Sequence, residues 1–319
     1  MDFAKAFDNV NHLLLSSKLK AIDLNPYICN WYLSFLKDRK QRLVFCNTVC
    51  SWHSVNKGTT QGSVSGPFLF NLFINDLAIT DNSNTSMIKY ADDTTIQVNI
   101  TRSAGCIDVS LDTVNEYLSW SLRNRMSCNV LKCHELILRK RNVQYITEAV
   151  DGINQLESLK VLGVTFQNNC RFSEHVKSKL LEANRCLYVI RCIRKEGYTQ
   201  DEIDLLFKAI VLPKITFGLV IYSASKPELT TIQNFLQRCY KRKYISYYLD
   251  IYTLLEKHDN NMYNKIKSDP GHPLFNSLPR IKESSMKLRN NSSLLPRVNT
   301  ERFKNSFINR LFFKYRLAF

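Results

Sequence analysis

Acidic residues are in short supply: 28 Asp and Glu face 44 Lys and Arg, giving a formal net charge of +16. A pI near 9.4 points to an anionic partner. No uninterrupted apolar run reaches the ~18 residues that a bilayer-spanning helix needs, so no membrane partner is expected. The opening residues, Met1-Asp2-Phe3-Ala4-Lys5, have no continuous apolar stretch of the kind a secretory leader carries. The 10 cysteines are therefore expected as thiols in a reducing, intracellular setting, nucleus or cytoplasm, and not as a disulfide framework. Cys46, Cys50 and His53, and again Cys128, Cys133 and His134, each lack the second ligand pair that a four-ligand zinc site wants nearby. No Ser/His/Asp or Cys/His nucleophile arrangement can be assembled, and no internal repeat is apparent. Glycine is sparse too, with 9 in 319 residues, yet Gly58, Gly62 and Gly66 fall close together.

What is present is unevenly placed. Residues 1–170 hold 17 Lys/Arg against 15 Asp/Glu, whereas residues 171–319 hold 27 against 13. The length suggests about two domains, and the charge split suggests a chemical domain followed by one that grips a polyanion. In the first half, Leu14, Lys18 and Ile22 mark a helix after Asn11-His12. Pro26 opens a second, with Ile28, Trp31, Tyr32, Phe35 and Leu36 as its expected buried stripe. Residues 42–46 and 49–55 read as short strands. Ile107, Leu111, Val114, Leu118 and Leu122 mark a further helix, and Leu159 to Val164 alternates like a strand. Strands mixed with helices in no regular order argue for an α+β fold.

The second half is helical, with a boundary expected near residue 168. Ser173 precedes a helix with Val176, Leu180, Ala183, Leu187 and Ile190 on one face. Thr199-Gln200-Asp201-Glu202 and Ser225-Lys226-Pro227-Glu228 are capping-box signatures opening two more. From residue 261 the chain turns polar and proline-dotted, with Pro270, Pro273, Pro279 and Pro296 and the run Asn290-Asn291-Ser292-Ser293, and reads as a basic, loosely packed tail.

The stretch that stands out chemically is Tyr90-Ala91-Asp92-Asp93, between the strand-like runs 86–89 and 94–98. Adjacent carboxylates at a hairpin tip repel each other. Either they form a solvated turn, or they hold a divalent cation such as magnesium, which takes oxygen ligands. The loop Gly58-Thr59-Thr60-Gln61-Gly62-Ser63-Val64-Ser65-Gly66-Pro67 feeds a helix and lets a backbone approach a ligand closely. A two-metal phosphoryl-transfer site draws carboxylates from more than one element, and Asp2, at the end of a short strand-like start, is the third candidate.

The runs Asp-Phe-Ala-Lys-Ala-Phe-Asp from residue 2, Gln-Gly-Ser-Val-Ser-Gly-Pro from residue 61 and Tyr-Ala-Asp-Asp from residue 90 occur in that order. In this they resemble the palm of reverse transcriptases, and especially those of non-LTR (LINE-like) retrotransposons. The resemblance implies a polymerase palm over residues 1–168, an antiparallel sheet with packed helices. A mostly helical thumb over 169–260 and the tail over 261–319 would follow. It implies that Asp2, Asp92 and Asp93 bind two Mg2+ ions, with Mn2+ as a substitute, and that Lys132 protonates the leaving pyrophosphate. Phe3, Phe7, Gln61, Gly62 and Tyr90 would contact the nucleotide, with Phe7 excluding a ribose 2′-hydroxyl. Leu162 and Gly163 would form the primer-grip turn. The partners implied are an RNA template, a DNA primer and deoxynucleoside triphosphates. Family members carry a fingers region before the first metal aspartate. The chain is therefore expected to be an N-terminally truncated copy, with Asp2 on a frayed terminus. A catalytically inactive nucleic-acid-binding remnant is the alternative expectation.

Overall fold

Asn11 and Asn25 end their loops by accepting hydrogen bonds from the first amides of the next segment, Leu13 and Leu14 in one case and Tyr27 in the other. Such caps satisfy donors that the first helical turn leaves without partners. They start helices α1 (His12–Ala21) and α2 (Pro26–Leu36) in a computed structural model that describes residues 1–22, 24–80, 84–100, 108–138, 149–222, 224–278, 297–298 and 301–315. The chain divides into two compact units. One comprises Met1–Glu135 with Gln144–Leu156, and the other Leu136–Val143 with Glu157–Phe319.

In the first unit α1 and α2 lead to two nested antiparallel pairs. The outer one joins β1 (Arg39–Gln41) to β4 (His53–Val55), and the inner one joins β2 (Val44–Phe45) to β3 (Thr48–Val49). Then come α3 (Ser65–Phe73), the hairpin β5 (Thr85–Tyr90) and β6 (Asp93–Val98), α4 (Ser110–Arg123), and the short pair β7 (His134–Leu136) and β8 (Asn154–Leu156). The core is built on α1, α3 and α4, with Leu15, Leu19, Phe70, Phe73, Tyr117 and Trp120 at its centre.

Three buried faces differ from the sequence reading. On α1 the buried positions are Leu15 and Leu19, while Ile22 lies beyond the helix end. On α2 Ile28, Trp31 and Phe35 are exposed and Cys29 and Leu36 are buried. On α4 Leu111 and Leu122 are exposed, and Thr113, Tyr117, Trp120 and Ser121 face inward. Ile107 lies outside the described residues. The cause on α4 is the payload of the rings. Tyr117 and Trp120 bury more apolar area than the leucines and also stack, Phe3 on Tyr117 with centroids 5.1 Å apart and Phe73 edge-on to Trp120 at 6.3 Å.

The second unit begins with the hairpin β9 (Ser158–Val161) and β10 (Val164–Gln167), so the boundary expected near residue 168 falls later than the structural division. The hairpin packs on the helices that follow. The Thr165 amide donates to His175 Nδ1 at 3.2 Å, and Phe166 lies edge-on to Phe172 at 5.5 Å. Helix α5 (Ser173–Lys195) buries Val176, Ala183, Leu187 and Ile190 as its pattern predicts, with Leu180 packed against the same core. Both capping boxes form, at α6 (Gln200–Leu206) and, later, at α9 (Lys226–Lys241).

Between them Phe207–Val211 makes a π-helical turn before α7 (Leu212–Thr216) and α8 (Leu219–Tyr222). Pro213 has no N–H to donate to the preceding turn, which accounts for the wider turn ahead of it. By length and composition Gln200–Tyr222 is long and apolar enough to cross a membrane, which the sequence reading did not anticipate. Its stripe Ile203, Phe207, Val211, Ile215 and Leu219 is buried in this unit's core, where each such side chain contributes about 1.5–3 kcal/mol.

Helix α10 (Ile251–Ser268) runs through residue 261, where the loose tail is expected to begin. Tyr263 and Ile266 form a small core with Leu311 of α12 (Phe307–Tyr315), which follows α11 (Glu301–Asn305). Arg310 pairs bidentately with the buried carboxylate of Asp259, both bonds at 2.8 Å. Pro279, Pro296 and residues 290–293 lie outside the described residues.

Candidate active site

Residues 1–4 are not frayed. The Met1 nitrogen donates to Thr94 O at 2.7 Å, and the Thr94 amide returns a bond to Met1 O at 3.2 Å. Two residues that exchange both bonds are an antiparallel pair, so Asp2 stands in register with Asp93. On the other side Asn129 N donates to Asp2 O at 2.9 Å and Ala4 N to Ser127 O at 2.8 Å, with Phe3 bridged to Cys128. Main-chain bonds on both edges thus hold Asp2 as the middle strand of three, which corrects the expectation of a loose terminus. The side chain of Phe3 is only 3% exposed and stacks on Tyr117. The Phe3 ring is thus part of this unit's core.

The carboxylate pair sits where the β5–β6 hairpin turns. Tyr90 pairs with Asp93, leaving Ala91 and Asp92 as the two loop residues, and Ala91 takes φ 51°. A positive φ at the first loop residue suits the twist of a tight hairpin. It costs a non-glycine residue roughly 1–2 kcal/mol. Tyr90 is exposed, Asp92 half-buried and Asp93 exposed. The hairpin is tied back by Lys89, whose ammonium donates to Ile74 O at 2.9 Å, Asn75 O at 3.2 Å and Leu77 O at 2.9 Å. Lys18 caps the same helix end, reaching Phe73 O at 2.7 Å and Asp76 Oδ1 at 2.6 Å. Burial lowers the pKa of both lysines below the ordinary value. The sequence reading missed both roles. The one available signal was a lysine placed against the metal-type tetrapeptide.

The glycine loop is locked to the turn that follows Asp2. Thr59 N donates to Phe7 O and Gly58 N to Val10 O, each at 2.8 Å. Gly58 has φ 85°, and a Cβ there would stand 2.8 Å from Asp8 O. Only glycine permits that approach. Gln61 Nε2 donates to Asp8 Oδ1 at 2.8 Å, and Phe7 stacks on Phe70 with centroids 4.3 Å apart. Gly62 has φ 79° with open space around it. Gln61, Gly62 and Phe7 are therefore brought onto one connected turn.

Lys132 reaches Asp2 as well, Nζ to Oδ2 at 3.8 Å, with its side chain 70% exposed against 21% for the aspartate. It rides on the turn Val130–Lys132. At the two ends of this turn Cys128 and Cys133 place their sulfurs 3.5 Å apart. The hydrogen bond between them draws the Cys133 pKa down and pushes that of Cys128 up.

Three carboxylates on paired strands are a hard-oxygen donor set of the kind that suits magnesium. They are not drawn into one shell. Among the described residues no three His, Cys, Asp or Glu side chains stand close enough to hold an ion.

In the second unit Leu162 and Gly163, at φ 46° and 83°, form the two-residue turn of β9–β10. Positive φ at both loop residues marks a type I′ turn. A Cβ on Gly163 would meet the Phe217 ring at 3.0 Å.

The pattern of a polymerase family, reverse transcriptase (RNA-dependent DNA polymerase), matches residues 1–166. The chain belongs to that family, and within it to the non-LTR, LINE-like kind. It is 29% identical over 232 residues to a probable RNA-directed DNA polymerase from transposon X-element of Drosophila melanogaster, covering 70% of this chain and 25% of that protein. It is 26% identical over 253 residues to the RNA-directed DNA polymerase from mobile element jockey of Drosophila funebris, covering 73% and 26%. A probable polymerase from transposon BS of Drosophila melanogaster is 26% identical over 250 residues, covering 73% and 27%. The chain thus spans about a quarter of the length of these curated relatives.

Proposed function

We propose that this chain carries out template-directed DNA synthesis on RNA, with residues 1–168 as palm, 169–260 as thumb and 261–319 as a basic tail, inside the cell in nucleus or cytoplasm. The observation that carries the reading is the main-chain pairing that holds Asp2 in register with the Asp92–Asp93 hairpin. Asp2, Asp92 and Asp93 would hold two Mg2+ ions. Bound there, the ions supply positive charge at the reacting phosphate and lower the pKa of the primer hydroxyl.

The remaining roles fall to side chains. Lys132, whose ammonium lies 3.8 Å from Asp2 Oδ2, would donate a proton to the departing pyrophosphate. The Gln61–Gly62 turn and Tyr90 would lie against the incoming deoxynucleotide. Phe7, fixed by its stack on Phe70, would exclude a 2′-hydroxyl. Phe3, its ring packed on Tyr117, would contact the nucleotide through its main chain. The Leu162–Gly163 turn would meet the primer. The basic helices after residue 170 would hold the primer–template duplex through its phosphates, with little regard to sequence.

The test is primer extension on a homopolymer RNA template with Mg2+. Asp92→Asn should lower the rate by about 10³-fold, the several kcal/mol expected for lost charge stabilisation. Binding of hybrid duplex with no extension, or an Asp92→Asn rate equal to wild type, would overturn the enzyme reading and leave a nucleic-acid-binding remnant.

A further inference from the structure

Cys128 and Cys133 take no part in the chemistry above, yet they frame it. The turn Val130–Lys132 folds the chain back, through Lys132 N to Asn129 O at 2.9 Å and Cys133 N to Val130 O at 3.0 Å. That return brings the two sulfurs to 3.5 Å. A disulfide requires about 2.05 Å, so a shift of roughly 1.5 Å closes the bond. Cys128 is half-buried and open to a small oxidant, whereas Cys133 is buried and shielded from competing thiols. The remaining described cysteines show no sulfur–sulfur contact of this kind. The pair also sits on the strand edge that holds Asp2, since Cys128 is bridged to Phe3 and Asn129 donates to Asp2 O.

We propose that Cys128 and Cys133 are a reversible oxidation site, whose disulfide closes a ring over the Val130–Lys132 turn and pins Lys132 beside Asp2. With a peroxide as oxidant, one sulfur of the pair, as its thiolate, attacks one peroxide oxygen. The O–O bond breaks and hydroxide leaves, giving a sulfenic acid. The other sulfur of the pair then attacks that sulfur and displaces a second hydroxide. The two thiol protons and the two hydroxides make two waters, so two thiols and one peroxide yield one disulfide. A dithiol reductant reverses the change and is itself oxidised to a disulfide. The inference concerns sulfur chemistry and does not depend on the polymerase reading.

The test treats the full chain with hydrogen peroxide, caps remaining thiols with N-ethylmaleimide and maps tryptic peptides without reduction. Cleavage after Arg125, Lys132 and Arg139 separates the two cysteines, so the bond appears as residues 126–132 linked to residues 133–139. This linked mass should exceed any other cysteine pair by about tenfold, because the partners are held together before reaction. It should vanish on treatment with dithiothreitol and be absent in Cys133→Ser. Cys128 and Cys133 both recovered as maleimide adducts, while exposed Cys46 and Cys50 oxidise, would overturn the proposal. So would Cys128 linked mainly to another cysteine. The wild-type map decides the matter even where Cys133→Ser folds poorly.

Discussion

Replacing Lys89 by methionine keeps the length of the side chain and removes the ammonium that ties the aspartate hairpin to the end of α3. Three carbonyls lose the ammonium, although Ile74 O keeps the Leu77 amide as a donor at 3.1 Å. Asn75 is exposed, so water can replace the lysine there. Leu77 is buried, and water cannot reach its carbonyl without opening the core. A buried acceptor left without a donor costs about 1–3 kcal/mol, so the variant is predicted to lose about 1–3 kcal/mol. The desolvation that lowers the Lys89 pKa is relieved in the variant and places the outcome toward the lower end. Tryptophan fluorescence is the assay, because Trp31, Trp52 and Trp120 all belong to the first unit and only Trp120 is buried. The signal therefore reports that unit alone. With a urea slope of about 2 kcal/mol/M, the midpoint should fall by roughly 0.5–1.5 M with little change in slope. A loss under about 0.5 kcal/mol would show that the hydrogen bonds contribute nothing net and refute the reasoning.

Two further outcomes concern the second unit. Arg310→Ala leaves the Asp259 carboxylate charged and 1% exposed, so circular-dichroism melts should show a loss of about 3–5 kcal/mol, which Asp259→Leu in the same background should largely restore. His175 has its pKa lowered chiefly by burial, so the unfolded chain binds the proton first. Stability should therefore fall as pH drops below about 6.5, by up to about 1.4 kcal/mol per pH unit, and level off once the folded histidine protonates. His175→Gln keeps an acceptor for the Thr165 amide and should flatten that profile in urea titrations read by circular dichroism. An unchanged slope would exclude His175 as the cause.

Where a signal was local, the sequence disclosed it. The two capping boxes needed only residues three apart, and the Asp92–Asp93 hairpin only the alternation on either side of it. Helix faces were legible on α5, where aliphatic residues compete with no rings. They were misread on α4, where Tyr117 and Trp120 decided which face turned inward, and on α2, where Trp31 and Phe35 lie on the exposed side. The anchoring of Asp2 was not legible at all. Its bonds run between main-chain groups, which carry no side-chain signature, and they join segments far apart in the chain. Lys89 escaped notice for a related reason, since a lysine reads as a surface charge until the carbonyls it caps are placed in space. The division into compact units falls at Glu157, ahead of residue 168, although β9–β10 looks like a continuation of the strands before it. Val164 and Thr165 pack with the helices after it.

The Met1–Thr94 pair has a kinetic consequence. It closes a loop of 93 residues, and bringing those ends together costs about 4 kcal/mol of chain entropy beyond the constant term. Nothing local offsets that cost. The β5–β6 hairpin and α1 can form within microseconds from neighbouring residues, whereas the third carboxylate arrives only when the two ends of this long loop meet. The acidic centre is therefore expected to be among the last features to assemble, with Asp2 recruited to a hairpin that already exists.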